Sequence, residues 1–78
     1  MENMNLNDFT EMIRKQYQDA NEITLTPDTD IRSIESFDSL TGWMMMGEIL
    51  DKFGVEISPE DWAKLHTPEE IYNFVVKE

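Results

Sequence analysis

Two strong helix-start signals near the end of the chain limit what it can fold into. Residues 58–61 (SPED) combine a capping serine, a proline at the first helical position and an acid three residues after the cap, and residues 67–70 (TPEE) repeat the pattern. They predict two short helices, over 59–65 and 68–77. Because no segment alternates apolar and polar residues for long enough to indicate a strand, the chain is expected to be all-α.

Two further helices are indicated upstream by apolar residues that recur at spacings of three and four. A helix over about 6–19 is predicted from one such face, made of Leu6, Phe9, Ile13 and Tyr17. A second helix over 39–53 has a predicted core stripe that falls within about a third of its circumference. The members of this stripe are Gly42, Met45, Met46, Ile49 and Phe53.

The segment 20–38, between these two helices, keeps no apolar period and carries scattered acids, Thr, Ser and Pro27. It is therefore predicted to be a loop, and a loop of this length in a compact domain is usually functional or held down by its own side chains. The expected anchors are its large apolar residues, Ile23, Leu25, Ile31, Ile34 and Phe37.

The outer face of the second helix is unusual for a surface that meets water. Leu40 and Met44 place apolar groups there beside Gly47, and Glu48 and Asp51 lie on the same side. Trp43 lies on a flank, where packing on a neighbouring helix and contact with a partner are equally good interpretations.

Composition excludes several classes of function. The 78 residues, enough for one domain, include 17 acids and 6 bases, for a formal net charge of −11. That charge argues against nucleic acid and anionic membranes, and favours basic protein surfaces as partners. The absence of cysteine excludes disulfides, thiolate metal sites and a cysteine nucleophile. With no signal peptide and no apolar run long enough to span a membrane, a cytoplasmic protein is expected. The protein is also expected to be a monomer.

The segment Asp38-Ser39-Leu40 opens the second helix, 53–57 (FGVEI) follows that helix, and 67–71 (TPEEI) begins the last one. In this order and spacing the chain resembles the acyl carrier protein family, which includes peptidyl and D-alanyl carriers. The resemblance covers most of the chain and is strongest over about 37–74. It implies a four-helix bundle with a long first loop and a short third helix, and a single phosphopantetheine carrier domain over 1–78.

The resemblance also implies the site. Ser39 would carry 4′-phosphopantetheine, transferred from coenzyme A by a phosphopantetheinyl transferase, and the protein would perform no catalysis itself. Its partners would be acyl- or aminoacyl-activating and acyl-transfer enzymes of fatty acid, polyketide or related biosynthesis. Transferase and partner recognition is expected from residues around the motif, namely Asp38, Leu40, Met44, Gly47, Glu48 and Asp51.

Two departures from the family pattern favour a dedicated partner over bulk fatty acid synthesis. The second helix has only Glu48 and Asp51 as acids, and residues 34–37 (IESF) stand where the family often has Leu-Gly. One alternative remains for Ser39, which could simply cap the helix. The corresponding alternative function is an unmodified carrier-like bundle that acts as a protein–protein interaction module.

Overall fold

The computed structural model describes residues 4–77, and within this range the chain forms four α-helices and no strands. Helix α1 spans Leu6–Arg14, α2 spans Ser39–Phe53, α3 spans Pro59–Trp62 and α4 spans Pro68–Lys77. The long first loop contains two 3₁₀ turns, Ala20–Glu22 and Ile31–Ser33. The all-α, acyl-carrier-like bundle expected from the sequence is confirmed.

Helix α1 ends five residues earlier than the apolar spacing predicted. After Arg14 the backbone tightens into i→i+3 hydrogen bonds, from Gln16 N to Ile13 O and from Tyr17 N to Arg14 O. The tightened turn leaves Tyr17 buried, with its hydroxyl donating to the Ile31 carbonyl over 2.6 Å. A contact with the loop therefore replaces the last turns of the predicted helix.

Helix α3 is also shorter than the predicted 59–65, for a similar reason. The carbonyl of its last residue, Trp62, and that of Leu65 in the following turn accept hydrogen bonds from the Arg32 guanidinium at 2.8 and 2.6 Å. Long basic side chains can satisfy the last carbonyls of a helix in this way. The helix can stop there without leaving those polar groups unpaired.

The core draws on all four helices and on the loop. Its buried members are the large apolar residues Phe9, Met12, Ile13, Tyr17, Leu25, Ile31, Met45, Ile49, Ile57, Trp62, Ile71 and Val75. The five predicted loop anchors all contribute, because Leu25 and Ile31 are buried and the other three pack against the core. Met12 lies outside the apolar face predicted for α1 and is buried as well, because the core contacts α1 over more than one narrow face.

The backbone of the first loop is hydrogen-bonded to the turn between α3 and α4 and to the first turn of α4. The Ile31 amide donates to the His66 carbonyl over 2.8 Å, and the Glu69 amide donates to the Pro27 carbonyl over 3.1 Å. Ordered backbone hydrogen bonds of this kind limit the freedom of a long loop. They position the end of the loop, which leads directly into α2.

Helix α2 has well-defined ends. Its N-terminus is capped by Asp38, whose carboxylate accepts from the Thr41 amide over 2.8 Å. At its C-terminus Gly54 adopts a left-handed conformation, with φ of 71°, and donates to the Leu50 carbonyl over 2.9 Å. Glycine takes this conformation at no steric cost, so α2 stops where the sequence predicted.

Candidate functional site

Ser39 is the first residue of α2, and its side chain is exposed. The preceding Asp38 carboxylate bonds the amide and the hydroxyl of Thr41, each over 2.8 Å, so Asp38 caps the helix. Ser39 is therefore not the capping residue, and the interpretation of this serine as a mere helix cap is wrong. Its hydroxyl instead lies exposed at the N-terminal end of a 15-residue helix.

The cap also sets the charge at this end of the helix. Hydrogen bonds from the Thr41 amide and hydroxyl, with a smaller share from the Leu40 amide, lower the pKa of Asp38 below its usual range. Asp38 is therefore ionised at neutral pH. The positive end of the helix dipole favours an anion at this terminus, and a phosphate ester on the Ser39 hydroxyl fits that position.

An exposed apolar face runs along α2 from the serine. Leu40 is 57% exposed, Trp43 71%, Met44 43% and Leu50 49%, and Gly47 is also exposed among them. On a helical wheel these five residues fall within a third of the circumference, opposite the buried Met45 and Ile49. We call the five residues the α2 face.

The structure brings together most of the predicted recognition residues. Leu40, Met44 and Gly47 are exposed on the α2 face, Asp38 and Asp51 are exposed near it, and Glu48 is half-buried at its edge. Trp43 and Leu50 were not among the predicted recognition residues. Their positions on the helical wheel, beside Gly47, were the signal available in the sequence.

An open cleft of about 530 Å³ begins at Ser39 and runs between α2 and α3, and we call it the Ser39 cleft. Aromatic side chains form much of its wall, and a single arginine contributes the permanent positive charge. Its lining residues are Arg32, Phe37, Asp38, Ser39, Gly42, Trp43, Met46, Trp62, Ala63 and His66. A second cleft of about 410 Å³ shares Trp43, Met46 and Trp62 with it and continues along α2 to Leu50.

Few of the apolar residues between the helices are open to a cargo. The candidates for lining a cavity there are Met45, Met46, Ile49 and Phe74. Of these only Met46 lines the Ser39 cleft, because Met45 and Ile49 are fully enclosed in the core. Phe74 lines a separate cleft beside Lys64 and Lys77.

Arg32 is a further residue of the site that sequence reasoning did not identify. Its guanidinium lies 5.8 Å from the centre of the Phe37 ring and 5.6 Å from that of Trp62, distances typical of cation–π contacts. Arg32, a residue of the first loop, thus contacts both Phe37, which directly precedes Asp38, and the end of α3. The signal in the sequence was that Arg32 is the one basic residue between Lys15 and Lys52.

Comparison with known proteins identifies the class. A family model described as a phosphopantetheine attachment site matches residues 7–75. The chain therefore belongs to this family, whose members carry covalently attached 4′-phosphopantetheine and act as non-catalytic carriers. A search of curated proteins finds no match.

Two other findings concern the described range alone. Across residues 4–77, no helix combines the length and the apolar character needed to cross a membrane. Within the same part of the chain, no group of three or more His, Cys, Asp or Glu side chains is arranged to hold a metal ion.

Proposed function

We propose that Ser39 is the attachment residue for 4′-phosphopantetheine and that the protein delivers acyl or aminoacyl groups from one partner enzyme to another. The observation that carries the proposal is the exposed Ser39 hydroxyl at the first position of α2, directly after the Asp38 cap. Family membership supports the carrier role, and the geometry favours this serine.

Attachment is assigned to a transferase, because the carboxylate directly before the serine is already bonded within the chain. The Asp38 carboxylate is engaged by Thr41 and faces the helix backbone instead. In the proposed step the Ser39 Oγ–P bond forms as the pyrophosphate bond of coenzyme A breaks. Adenosine 3′,5′-bisphosphate leaves, and the hydroxyl proton passes to the transferase. By resemblance to the family, Asp38 also helps the transferase to bind its metal ion.

The bound arm would supply a thiol that holds the cargo as a thioester, so the absence of cysteine in the chain is no obstacle. The role of the chain's own residues is to present the serine and to favour the phosphate. The α2 dipole stabilises a phosphodiester at Ser39.

The proposal is tested by intact-protein mass after incubation with coenzyme A, Mg²⁺ and a promiscuous phosphopantetheinyl transferase. We expect the wild-type protein to gain one phosphopantetheinyl group and Ser39→Ala to gain none. Ser58→Ala is the matched control, because Ser58 is also an exposed serine at a helix start, and it should be modified normally. A mass gain that persists in Ser39→Ala would place the attachment elsewhere.

We further propose that partner enzymes recognise the α2 face together with Asp38, Glu48 and Asp51. Small apolar patches with a charged rim suit encounters that must end after each transfer, and methionine adapts to different partner surfaces. Met44→Glu should slow modification by the transferase, whereas Val76→Glu, at a comparably exposed apolar residue of α4, should not. Equal rates for the two variants would remove Met44 from the interface.

The second candidate function is an unmodified interaction module, and the α2 face is the specific observation that favours it. Four large apolar side chains on one helix are exposed whether or not Ser39 is modified. A protein that never gains the phosphopantetheinyl mass, in the cell of origin or with its own transferase, would favour this candidate over the carrier.

We also propose that residues 1–78 form one domain that acts as a monomer. The continuous core shared by the four helices supports the first point. A single cooperative unfolding transition and a monomeric sedimentation coefficient are the expected results, and two transitions would contradict the single domain.

A further inference from the structure

Arg32 combines a fixed position with an unused hydrogen-bond donor. Its two terminal nitrogens donate to the carbonyls of Leu65 and Trp62, which hold the guanidinium at the end of α3. The aromatic rings of Phe37 and Trp62 lie against it. The third nitrogen, Nε, donates to no residue among 4–77.

The Arg32 Nε must therefore meet solvent. In the described part of the chain, every buried side-chain nitrogen or oxygen atom of a non-exposed residue has a hydrogen-bond partner. An Nε without a partner in a half-buried residue is consequently accessible, and Arg32 lines the Ser39 cleft. Arg32 thus gives the cleft that contains the proposed attachment residue a positioned cation with one N–H donor left over.

The cleft offers an anion one cation that makes no ion pair with the carboxylate in the same wall. Arg32 is the one lysine or arginine among the lining residues and Asp38 the one carboxylate. The Asp38 carboxylate is already bonded to Thr41, so it does not neutralise Arg32 by direct contact. Because the chain as a whole carries a net charge of −11, an anionic group meets repulsion over most of the remaining surface.

We propose that the Ser39 cleft binds acyl groups that carry a carboxylate at their far end, that is, monothioesters of dicarboxylic acids, and that the Arg32 Nε–H donates to that carboxylate. The inference rests on the proposed function, since the acyl group reaches the cleft on an arm attached to Ser39. Hydrogen bonds between a guanidinium and a carboxylate are charge-assisted and stronger than neutral ones. The aliphatic part of the cargo would lie along Met46 and Trp62.

The tether makes weak binding sufficient. A short flexible arm presents its end to a nearby site at an effective concentration of about 1 mM or more. A cleft with a dissociation constant of about the same size would then hold its cargo about half of the time. That occupancy suits a carrier, because the cargo is sheltered between transfers and still released to the next enzyme.

The experiment compares two cargoes that differ in charge but have nearly the same shape. A promiscuous transferase loads the wild-type protein from succinyl-coenzyme A or from succinamoyl-coenzyme A, whose terminal amide replaces the carboxylate, and intact mass verifies loading. The NMR resonance of the Arg32 Nε–H should move in the succinyl form and remain in place in the succinamoyl form. The shift should weaken as salt screens the contact.

A second readout is the rate at which an added thiol cleaves the thioester. With the cleft about half occupied, the succinyl group should be released about twofold more slowly than the succinamoyl group. Arg32→Gln should abolish that difference, and Arg32→Lys should retain part of it. Lys64→Gln is the matched control, because it removes one positive charge at a residue outside the cleft and should leave the difference intact.

The outcomes separate the two proposals. A protein that accepts neither cargo at Ser39 would overturn the proposed function, and this inference with it. A protein that loads both cargoes but shows the same Arg32 resonance and the same release rate would overturn this inference alone. The comparison of the two cargoes on the wild-type protein needs no variant, so it decides the question even if Arg32→Gln fails to fold.

Discussion

The two helical glycines of α2 offer a matched test of how the helix meets its surroundings. A Cβ atom added at Gly47 would meet no neighbouring atom within 4 Å, whereas one added at Gly42 would lie 3.4 Å from Phe37 Cζ and 3.4 Å from Trp62 Nε1. The same substitution, glycine to alanine, therefore tests open space at one position and a tight contact at the other.

The expected magnitudes follow from these contacts. Alanine is favoured over glycine inside a helix by about 0.8–1.0 kcal/mol. At Gly47 nothing offsets that gain, so Gly47→Ala should raise the free energy of unfolding by nearly the full amount. This corresponds to a rise in Tm of about 4–8 °C per kcal/mol for a domain of this size. At Gly42 the added Cβ would lie at the short limit of van der Waals contact with Phe37 and Trp62, so any shift of the two rings offsets the same gain. Overpacking a tight site typically costs about 1–3 kcal/mol.

The assay is urea unfolding of both variants, followed by far-UV circular dichroism, with the slope m compared to confirm that the unfolding reaction is unchanged. Gly47→Ala should be more stable than the wild-type protein, and Gly42→Ala less stable than Gly47→Ala by about 1 kcal/mol or more. Equal stabilisation by both substitutions would refute the close packing of Phe37 and Trp62 on Gly42. A destabilised Gly47→Ala would refute the open surface at Gly47.

Three further predictions concern the core and the cap. Tyr17→Phe should lower the free energy of unfolding by about 1–3 kcal/mol in urea titrations, because it leaves the Ile31 carbonyl without its buried donor; an unchanged midpoint would contradict that contact. Met45→Ala should lower the free energy of unfolding by about 2–5 kcal/mol, because Met45 is fully buried. The exposed neighbour serves as the control, since Met44→Ala should change it by less than about 0.5 kcal/mol. Similar losses for both variants would show that α2 is rotated about its axis. The pKa of Asp38 is lower in the folded protein than the value of about 3.9 in the unfolded chain. The ionised carboxylate therefore stabilises the fold fully at pH values above the unfolded pKa, and this stabilisation is lost as the pH falls through the folded-state pKa. Asp38→Asn should therefore flatten the acid limb of the stability–pH curve, and an unaltered limb would be the contrary result.

The limits of α2 could be predicted because both of its ends are signalled locally. Asp38 can cap a helix from its own side chain, and Gly54 can adopt the left-handed conformation that ends one. The exposed part of the proposed site followed from the same helix, since Leu40 and Met44 fall opposite the core stripe. These features depend on spacing within one element, which a sequence shows directly.

The ends of α1 and α3 could not be predicted, because they depend on residues far away in the chain. Tyr17 continues the helical spacing of α1, yet its hydroxyl bonds a carbonyl 14 positions further on. The end of α3 is satisfied by Arg32, which precedes the bonded carbonyls of Trp62 and Leu65 by 30 and 33 positions. Local propensity is a weak guide where a tertiary contact satisfies the backbone instead.

The same limitation applies to the Ser39 cleft. Trp43 could equally have packed inward, and its exposure is settled only by how α2 and α3 lie together. Arg32 belongs to the loop in sequence but to the wall of the cleft in space. The lining residues of a cleft formed by two helices and a loop have no regular spacing along the chain, so the sequence alone does not reveal it.

The two tryptophans differ in solvent exposure, so their fluorescence should differ. Trp62 is 8% exposed and Trp43 is 71% exposed, yet both line the Ser39 cleft. The fluorescence of Trp62 should therefore lie at shorter wavelength and resist a dissolved quencher, while that of Trp43 should be quenched readily. A partner that covers the α2 face would protect Trp43 alone, and a cargo that enters the cleft would change both, so the unlabelled protein reports which of the two events has occurred.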